Sequence, residues 1–410
     1  GSAANGEAEA PKKYRAGTHR LVSPAETLDR VRRFFPVLGI TRVADITGLD
    51  SAGVPVTAVC RPNSRSVTVS LGKGLDLAAA KASGVMESIE GFMAERIVRP
   101  LLLGSFNDLR YSHPLADIDA LPRTVESSYH PDLPILWIEG RELFTSKPMW
   151  VPYEIVHAAY TLPTPTGTGS FIATSNGLAS GNHVLEAICH GICEMVERDA
   201  AALHSLRTPD QVALRRIGPQ SVDDAGCAEI LHRFGRAGLA TGIWDMTTDI
   251  GIPAFRCLIA EREHPVRLGR ASEGMGCHPD RGVALLRALT EAAQGRVATL
   301  SGVRDEPSQL GAAAEPAGPP PGGETGLAGE AAGDFTAVPA FGGDSFDDDV
   351  RWELARLRSA GIGQVIAVDL TREEFGIPVV RVVVPGLEGP AGMVAGCRLG
   401  RRAMDLAGAR

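Results

Sequence analysis

Three stretches of this chain carry a pair of polar residues at one spacing: Glu87 and Glu90, Glu194 and Glu197, Glu291 and Gln294. Residues three apart on a helix face the same way. The flanking residues are small and apolar, with few lysines to pair with the acids. A solvated helix face is the ordinary explanation of such a pattern, but it fits poorly with apolar flanks, because a buried acid without a partner is costly. Two Glu-x-x-Glu helices brought together would instead present four carboxylates to a cation. Hard oxygen donors without a His/Cys set favour Mg2+, commonly shared with a substrate phosphate. Mg2+ held in this way is the usual companion of a nucleoside triphosphate.

Phosphate needs donors as well. A Gly-rich stretch precedes each pair, and the N–H groups at a helix start form a natural anion site. Lys73 in Gly-Lys-Gly, Arg198 directly after Glu197, and Arg296 two residues after Gln294 add cations. Asn182 reads both as a helix cap and as a donor to phosphate or ribose. Arg15 and Arg20, in Tyr-Arg-Ala-Gly-Thr-His-Arg, are further cations that spacing does not place. No Gly-x-x-x-x-Gly-Lys-[Ser/Thr] occurs, so the site is not a P-loop.

Zinc is the competing metal, since His183, Cys189, His190 and Cys193 lie near the acids. No Cys-x-x-Cys knuckle or His-Glu-x-x-His accompanies them. The cysteines therefore read as small core residues, and His190 as a core or supporting residue. Ser175 and Cys277 sit on Gly-rich stretches, but no Gly-x-Ser-x-Gly supports a nucleophile. Asp199 falls outside the repeat and reads as a helix-surface acid.

The elements that must position these residues also recur. Residues 39–62, 238–261 and 361–386 each hold Asp-x-Thr (Asp45/Thr47, Asp245/Thr247, Asp369/Thr371), followed by Gly-[Ile/Val]-Pro. Turn residues between two β-branched runs predict a hairpin. An amphipathic helix ending near a Gly precedes each one. A second unit, at 69–90, 174–197 and 271–294, consists of a Gly-rich loop, a cap (Asp76, Asn182, Asp280) and an Ala-rich helix. Each helix reaches its polar pair on the third turn, eleven or twelve residues beyond the cap.

With 410 residues, 44% of them hydrophobic, the chain can bury a large core. A net charge of −8 offers no general attraction to nucleic acid or anionic membrane. Seven cysteines without paired spacing, and no apolar run of the ~20 residues a bilayer requires, suggest a cytoplasmic protein with reduced thiols. The expected organisation is an α+β fold of three pseudo-repeated hairpin/helix units around a nucleotide cleft. Residues 13–410 form one catalytic domain, residues 1–12 a disordered tail or cloning remnant, and about 305–345 a flexible Pro/Gly/Ala-rich insertion.

The segment 66–90, the segment 175–198 and Thr-Glu-Ala-Ala-Gln-Gly-Arg at 290–296 closely resemble the YcaO family, and the resemblance covers nearly the whole chain. It implies a P-loop-free ATP- and Mg2+-binding fold in which Glu87, Glu90, Glu194 and Glu197 hold Mg2+. It also implies that Asn182, Arg198, Glu291 and Gln294 line the nucleotide site, with Lys73 and Arg20 carried over beside them. Arg198 and Glu197 are the expected catalytic pair. The implied chemistry is activation of a peptide backbone amide by O-phosphorylation in a ribosomally made precursor peptide. The product is an azoline with a Cys, Ser or Thr nucleophile, a thioamide with sulfide, and an amidine with an internal amine.

No Pro-x-Pro-x-Pro tail ends the chain and no fused leader-capturing domain precedes the repeats, both features of azoline-forming members. Arg-Ala-Gly-Thr-His-Arg and residues 39–56 look most like the subgroup associated with TfuA partners, which is linked to thioamidation. The resemblance thus implies thioamide formation, with a TfuA-like sulfur-delivery protein and a separate leader-binding protein. An azoline cyclodehydratase and an accessory protein in ribosomal-protein modification are the alternatives. A homodimer is the default assembly.

Overall fold

The computed structural model describes residues 10–262, 271–302, 327, 331–389 and 396–408. Its main helices are α1 (Pro24–Arg32), α2 (Leu77–Glu95), α3 (Val184–Ser205), α4 (Ala225–Arg236), α5 (Arg281–Ser301), α6 (Phe346–Ser359) and α7 (Arg401–Gly408). Its strands are β1 (Arg42–Asp45), β2 (Val56–Cys60), β3 (Val69–Lys73), β4 (Leu101–Gly104), β5 (Ile135–Glu142) and β6 (Pro148–Pro152). They continue with β7 (Leu178–Ser180), β8 (Leu239–Asp245), β9 (Ala254–Glu261), β10 (Ser272–Cys277), β11 (Ile366–Asp369) and β12 (Val379–Val383).

The three Asp-x-Thr stretches fold as the antiparallel hairpins β1–β2, β8–β9 and β11–β12. The repeated residues do the same work in each. Thr47, Thr247 and Thr371 donate their backbone N–H to Asp45, Asp245 and Asp369 at 3.0, 2.8 and 2.9 Å. Each threonine hydroxyl then accepts from the strand that returns: Val56, Ala254 and Val379, at 3.1, 3.2 and 3.2 Å. The turn glycine of each copy (Gly53, Gly251, Gly376) has φ of 62°, 73° and 59°, the left-handed region where a side chain is strained.

Each hairpin gains a third strand from a Gly-rich stretch, so these stretches are strands rather than loops. β3 pairs β2 and β10 pairs β9. The third copy is permuted: β7, which precedes its hairpin by almost half the chain, pairs β12. The glycines let each strand lie directly on the helix that follows. A Cβ at Gly72 would come within 1.9 Å of the Ala80 carbonyl on α2, and one at Gly276 within 2.1 Å of the Ala284 carbonyl on α5. The helix preceding each hairpin packs on the helix of its own unit: α1 on α2, α4 on α5, α6 on α3. The third sheet is extended to β4-β5-β11-β12-β7, with β6 on the other side of β5.

Each of the two segments expected to be loose contains packed residues where it is described. Ala10 and Lys12 are buried, and Lys12 meets Asp349 at 2.6 Å. Residues 303–326 and 328–330 of the expected insertion lie outside the described residues. Of its remainder, Phe335 and Val338 are buried in the core around α4 and α5, and Phe341 stacks on Trp352. Apolar residues at the end of the Pro/Gly/Ala tract override its composition. No helix among the described residues is long and apolar enough to cross a membrane.

Candidate nucleotide and metal site

The unit helices α2, α3 and α5 turn their polar pairs toward one cavity of about 1470 Å³. Glu87, Glu90, Glu194, Glu197, Glu291 and Gln294 all line it, together with Lys73 from the end of β3, Arg198 and Arg20. The N-terminal segment that brings Arg20 there is closed by a two-way backbone bridge between Tyr14 and Arg20.

Glu90 accepts from the backbone N–H and hydroxyl of Ser180, at the end of β7, at 2.9 and 2.6 Å. Burial pushes its carboxyl up to about 8; the Ser180 hydrogen bonds oppose this, and the charges of Glu87 and Glu194 add to it. Glu197 is only 6% exposed. Burial pushes it up to about 7, opposed by Arg198 and reinforced by Glu291 and Glu194. Glu194 is shifted upward by burial too, although Arg198 opposes the shift. Arg198 approaches Glu194 at 3.8 Å and Glu197 at 3.6 Å, beyond good hydrogen-bonding distance. The pair on α5 is neutralised differently. Lys73 meets Glu291 at 2.6 Å, and the Gln294 amide donates to the Leu71 carbonyl at 2.6 Å.

This donor set suits Mg2+ and phosphate. Buried carboxyl groups that hold their protons toward neutral pH are acids short of positive charge, and their oxygens are the hard ligands that Mg2+ takes. Lys73, Arg198 and Arg20 line the same cavity as cations for an anionic ligand. Half-buried Arg20 comes no nearer than 3.8 Å to Glu186, and its Nε has no hydrogen-bond partner among the described residues.

Some expected residues lie elsewhere. Asn182 is not among the residues lining the cavity. Its amide is used by Thr27 at 3.1 Å, Arg30 at 3.2 Å and Glu186 at 3.3 Å, beside a smaller pocket. Nor is it the cap of α3, where His183 Nδ1 accepts from the Leu185 N–H at 3.2 Å. Arg296 is bound to Asp50 at 2.8 Å and Glu261 at 3.2 Å, and Arg15 pairs with Asp344 on the surface. Asp199 is not a surface acid. It is fully buried, bound by Arg402 of α7 at 3.0 Å and by the Glu388 N–H at 2.9 Å.

Spacing also held Ser83 and Arg287, which went unremarked, in line with His190. Ser83, His190 and Arg287, each four positions before the first glutamate of its pair, line the cavity as a further ring. Burial drives the His190 imidazole well below its ordinary range, with Arg287, Arg20 and Lys73 adding to the shift, so it is neutral. Arg381 lies fully inside strand β12, and its charge favours ionised Glu194. An arginine in Val-Val-Arg-Val-Val was the signal that could have found it.

Residues 71–388 match the family model described as YcaO cyclodehydratase, ATP- and Mg2+-binding. The chain belongs to the YcaO family. ATP and Mg2+ are accordingly its cofactors. An uncharacterised protein in the tfuA 3′ region of Rhizobium leguminosarum bv. trifolii is 34% identical over 90% of this chain and 88% of its own length. An uncharacterised protein of Methanothermobacter thermautotrophicus is 33% identical over 90% of this chain and 95% of its own. Among solved structures, the YcaO of Methanopyrus kandleri bound with AMPPCP and Mg2+ superposes with a TM-score of 0.74 at 22% identity. It is covered over 96% of this chain and 98% of its own. A heterocyclase in complex with substrate and cofactor gives 0.72 at 20% identity, over 93% of this chain and 54% of that longer one. At these identities the two structures establish the α+β YcaO fold.

Proposed function

We propose that this YcaO protein activates a backbone amide of a ribosomally made peptide and replaces its oxygen with sulfur, giving a thioamide. Glu87, Glu90, Glu194 and Glu197 are the Mg2+ ligands in this reading, and Lys73, Arg20, Arg198, Glu291 and Gln294 the nucleotide-facing residues. Asn182 acts at most through Glu186 and α1, whose residues hold its amide. Bound ATP supplies the phosphoryl group that lets the amide oxygen depart as phosphate. The chain's own residues do the rest. The acids gather metal charge at one wall of the cavity. Arg198, anchored between Glu194 and Glu197, keeps a guanidinium facing the same space. Lys73 and Arg20 balance the charge that accumulates there, and the buried walls strengthen each of these interactions by excluding water.

The observation that carries the choice of sulfur is the similarity to the protein from the tfuA 3′ region. A TfuA-like sulfur-delivery partner and a separate leader-binding protein belong to this reading. The test is mass spectrometry of a candidate peptide after incubation with the protein, Mg2+, ATP and sulfide. Exchange of one oxygen for sulfur, dependent on both ATP and sulfide, is expected. Loss of water without sulfide would identify an azoline-forming enzyme instead. An intact peptide under every condition would leave nucleotide binding in an accessory role.

A further inference from the structure

Beside the cavity, which Cys189 itself lines, three cysteines and a glutamate from three elements come together. Cys189 and Cys193 are one turn apart on α3, and the Sγ of each lies 3.1 Å from Glu353 Oε1 on α6. Their ligand atoms lie within 4.8 Å of one another. Cys277, the last residue of β10, borders Cys193 but its Sγ lies outside that 4.8 Å set. Glu353, Cys193 and Cys277 are 0% exposed and Cys189 is 2% exposed. Glu353 Oε2, buried with them, has no hydrogen-bond partner among the described residues.

As an apolar core this arrangement makes little sense. A thiol is a weak donor, and a buried carboxyl needs strong partners to repay the cost of leaving water. The nearby Lys12 is already engaged with Asp349 at 2.6 Å. A leucine in place of Glu353 would bury more cheaply. As a ligand set it makes good sense. Thiolates select thiophilic metals over Mg2+, and Cys189, Cys193 and Glu353, with Cys277 beside Cys193 as the fourth donor, make up a structural zinc ligand set. The two histidines of the Cys/His cluster in the sequence take no part: His183 caps α3 and His190 faces the cavity.

We propose that Cys189, Cys193, Cys277 and Glu353 bind one Zn2+, which clamps α3 to α6 and to β10 at the edge of the nucleotide cavity. As the metal enters, the three thiols and the carboxyl each release a proton to solvent. The clamp holds the helix that carries Glu194, Glu197 and Arg198, and it is distinct in ligand chemistry from the all-carboxylate Mg2+ site.

The full chain, purified without chelators and passed through a desalting column, should retain about one Zn2+ per chain by elemental mass spectrometry. Cys193→Ser and Glu353→Gln should each lower that to about a tenth or less, whereas Glu197→Gln, in the proposed Mg2+ site, should keep it. Should the cysteine variants fail to fold, the wild-type chain reloaded with Co2+ decides the matter. Thiolate-to-cobalt absorption in the near ultraviolet supports the centre. Its absence, a Cys189–Cys193 disulfide in the purified protein, or full zinc retention in a folded Cys189→Ser/Cys193→Ser variant would overturn it.

Discussion

Helices α3 and α5 occupy equivalent places in two copies of the same unit, yet their polar pairs are neutralised in opposite ways. On α5 the protein supplies the partners: Lys73 for Glu291 at 2.6 Å and the Leu71 carbonyl for the amide of Gln294. On α3 the second position is Glu197, and Arg198 reaches that pair only at 3.6–3.8 Å. Burial then leaves Glu197 titrating up at about 7, and Glu90 facing it from α2 at about 8. One wall of the cavity is thus complete within the chain. On α2 and α3 burial raises Glu90, Glu194 and Glu197 instead, and in the proposed reading Mg2+ meets them. Asp199 shows that α3 is not simply poor in partners. Two residues beyond Glu197, it is fully buried and bound by Arg402. The shortage is confined to the acids that face the cavity.

Glu197→Gln gives α3 the Glu/Gln pattern of α5, and it should be the most damaging change for activity. Mg2+-dependent ATP turnover should fall by about 10²–10³-fold, while the melting temperature of the nucleotide-free protein does not fall. A steady-state phosphate-release assay beside a thermal melt separates the two. Unchanged turnover would remove Glu197 from the site. Arg402→Met attacks the acid that the protein does neutralise. It should cost about 3 kcal/mol of stability in denaturant unfolding, because Asp199 is left buried without its cation. Lys73→Met removes the partner on α5. With both side chains between a fifth and a third exposed, the loss of stability should be no more than about 1 kcal/mol. The larger effect should be a KM for ATP raised about tenfold. The last comparison concerns pH, where the change per unit is small. Burial, with Arg256, Arg207 and Arg215 adding to it, lowers His204 at the end of α3 to about 3 from its ordinary 6.5. Below pH 6.5 the unfolded chain takes up a proton that the folded chain refuses until about 3. Stability should therefore fall as the pH falls through this window, by at most about 1.4 kcal/mol per pH unit. His204→Phe should flatten that slope in acid titrations followed by circular dichroism.

The hairpins and the polar pairs were legible because they repeat. Asp-x-Thr makes the same hydrogen bond in all three copies and the turn glycines share a left-handed φ, so local chemistry alone specified them. The residues that were misplaced depend on partners far along the chain. Asp199 answers to Arg402, 203 residues away, Arg296 to Asp50, 246 away, and Asn182 to Thr27, 155 away. No window of sequence contains those pairs. The permuted third unit was hidden for a similar reason. β7 is only three residues long, Leu-Ala-Ser, and its pairing partner β12 comes roughly two hundred positions later. The ring of Ser83, His190 and Arg287 was within reach, since counting one turn back from each glutamate finds it. Cys189 and Cys193 were noticed as part of the Cys/His cluster near the acids, but Glu353, on a different helix, completes their setting.

The central claim is that the acids of α2 and α3 hold the metal that accompanies ATP. It is tested most directly with Mn2+ in place of Mg2+, followed by electron paramagnetic resonance as the protein is titrated with a non-hydrolysable ATP analogue. The intact protein should bind Mn2+ with the nucleotide, and Glu90→Gln/Glu197→Gln should lose that binding while remaining folded. Undiminished Mn2+ binding in the folded double variant would contradict the account.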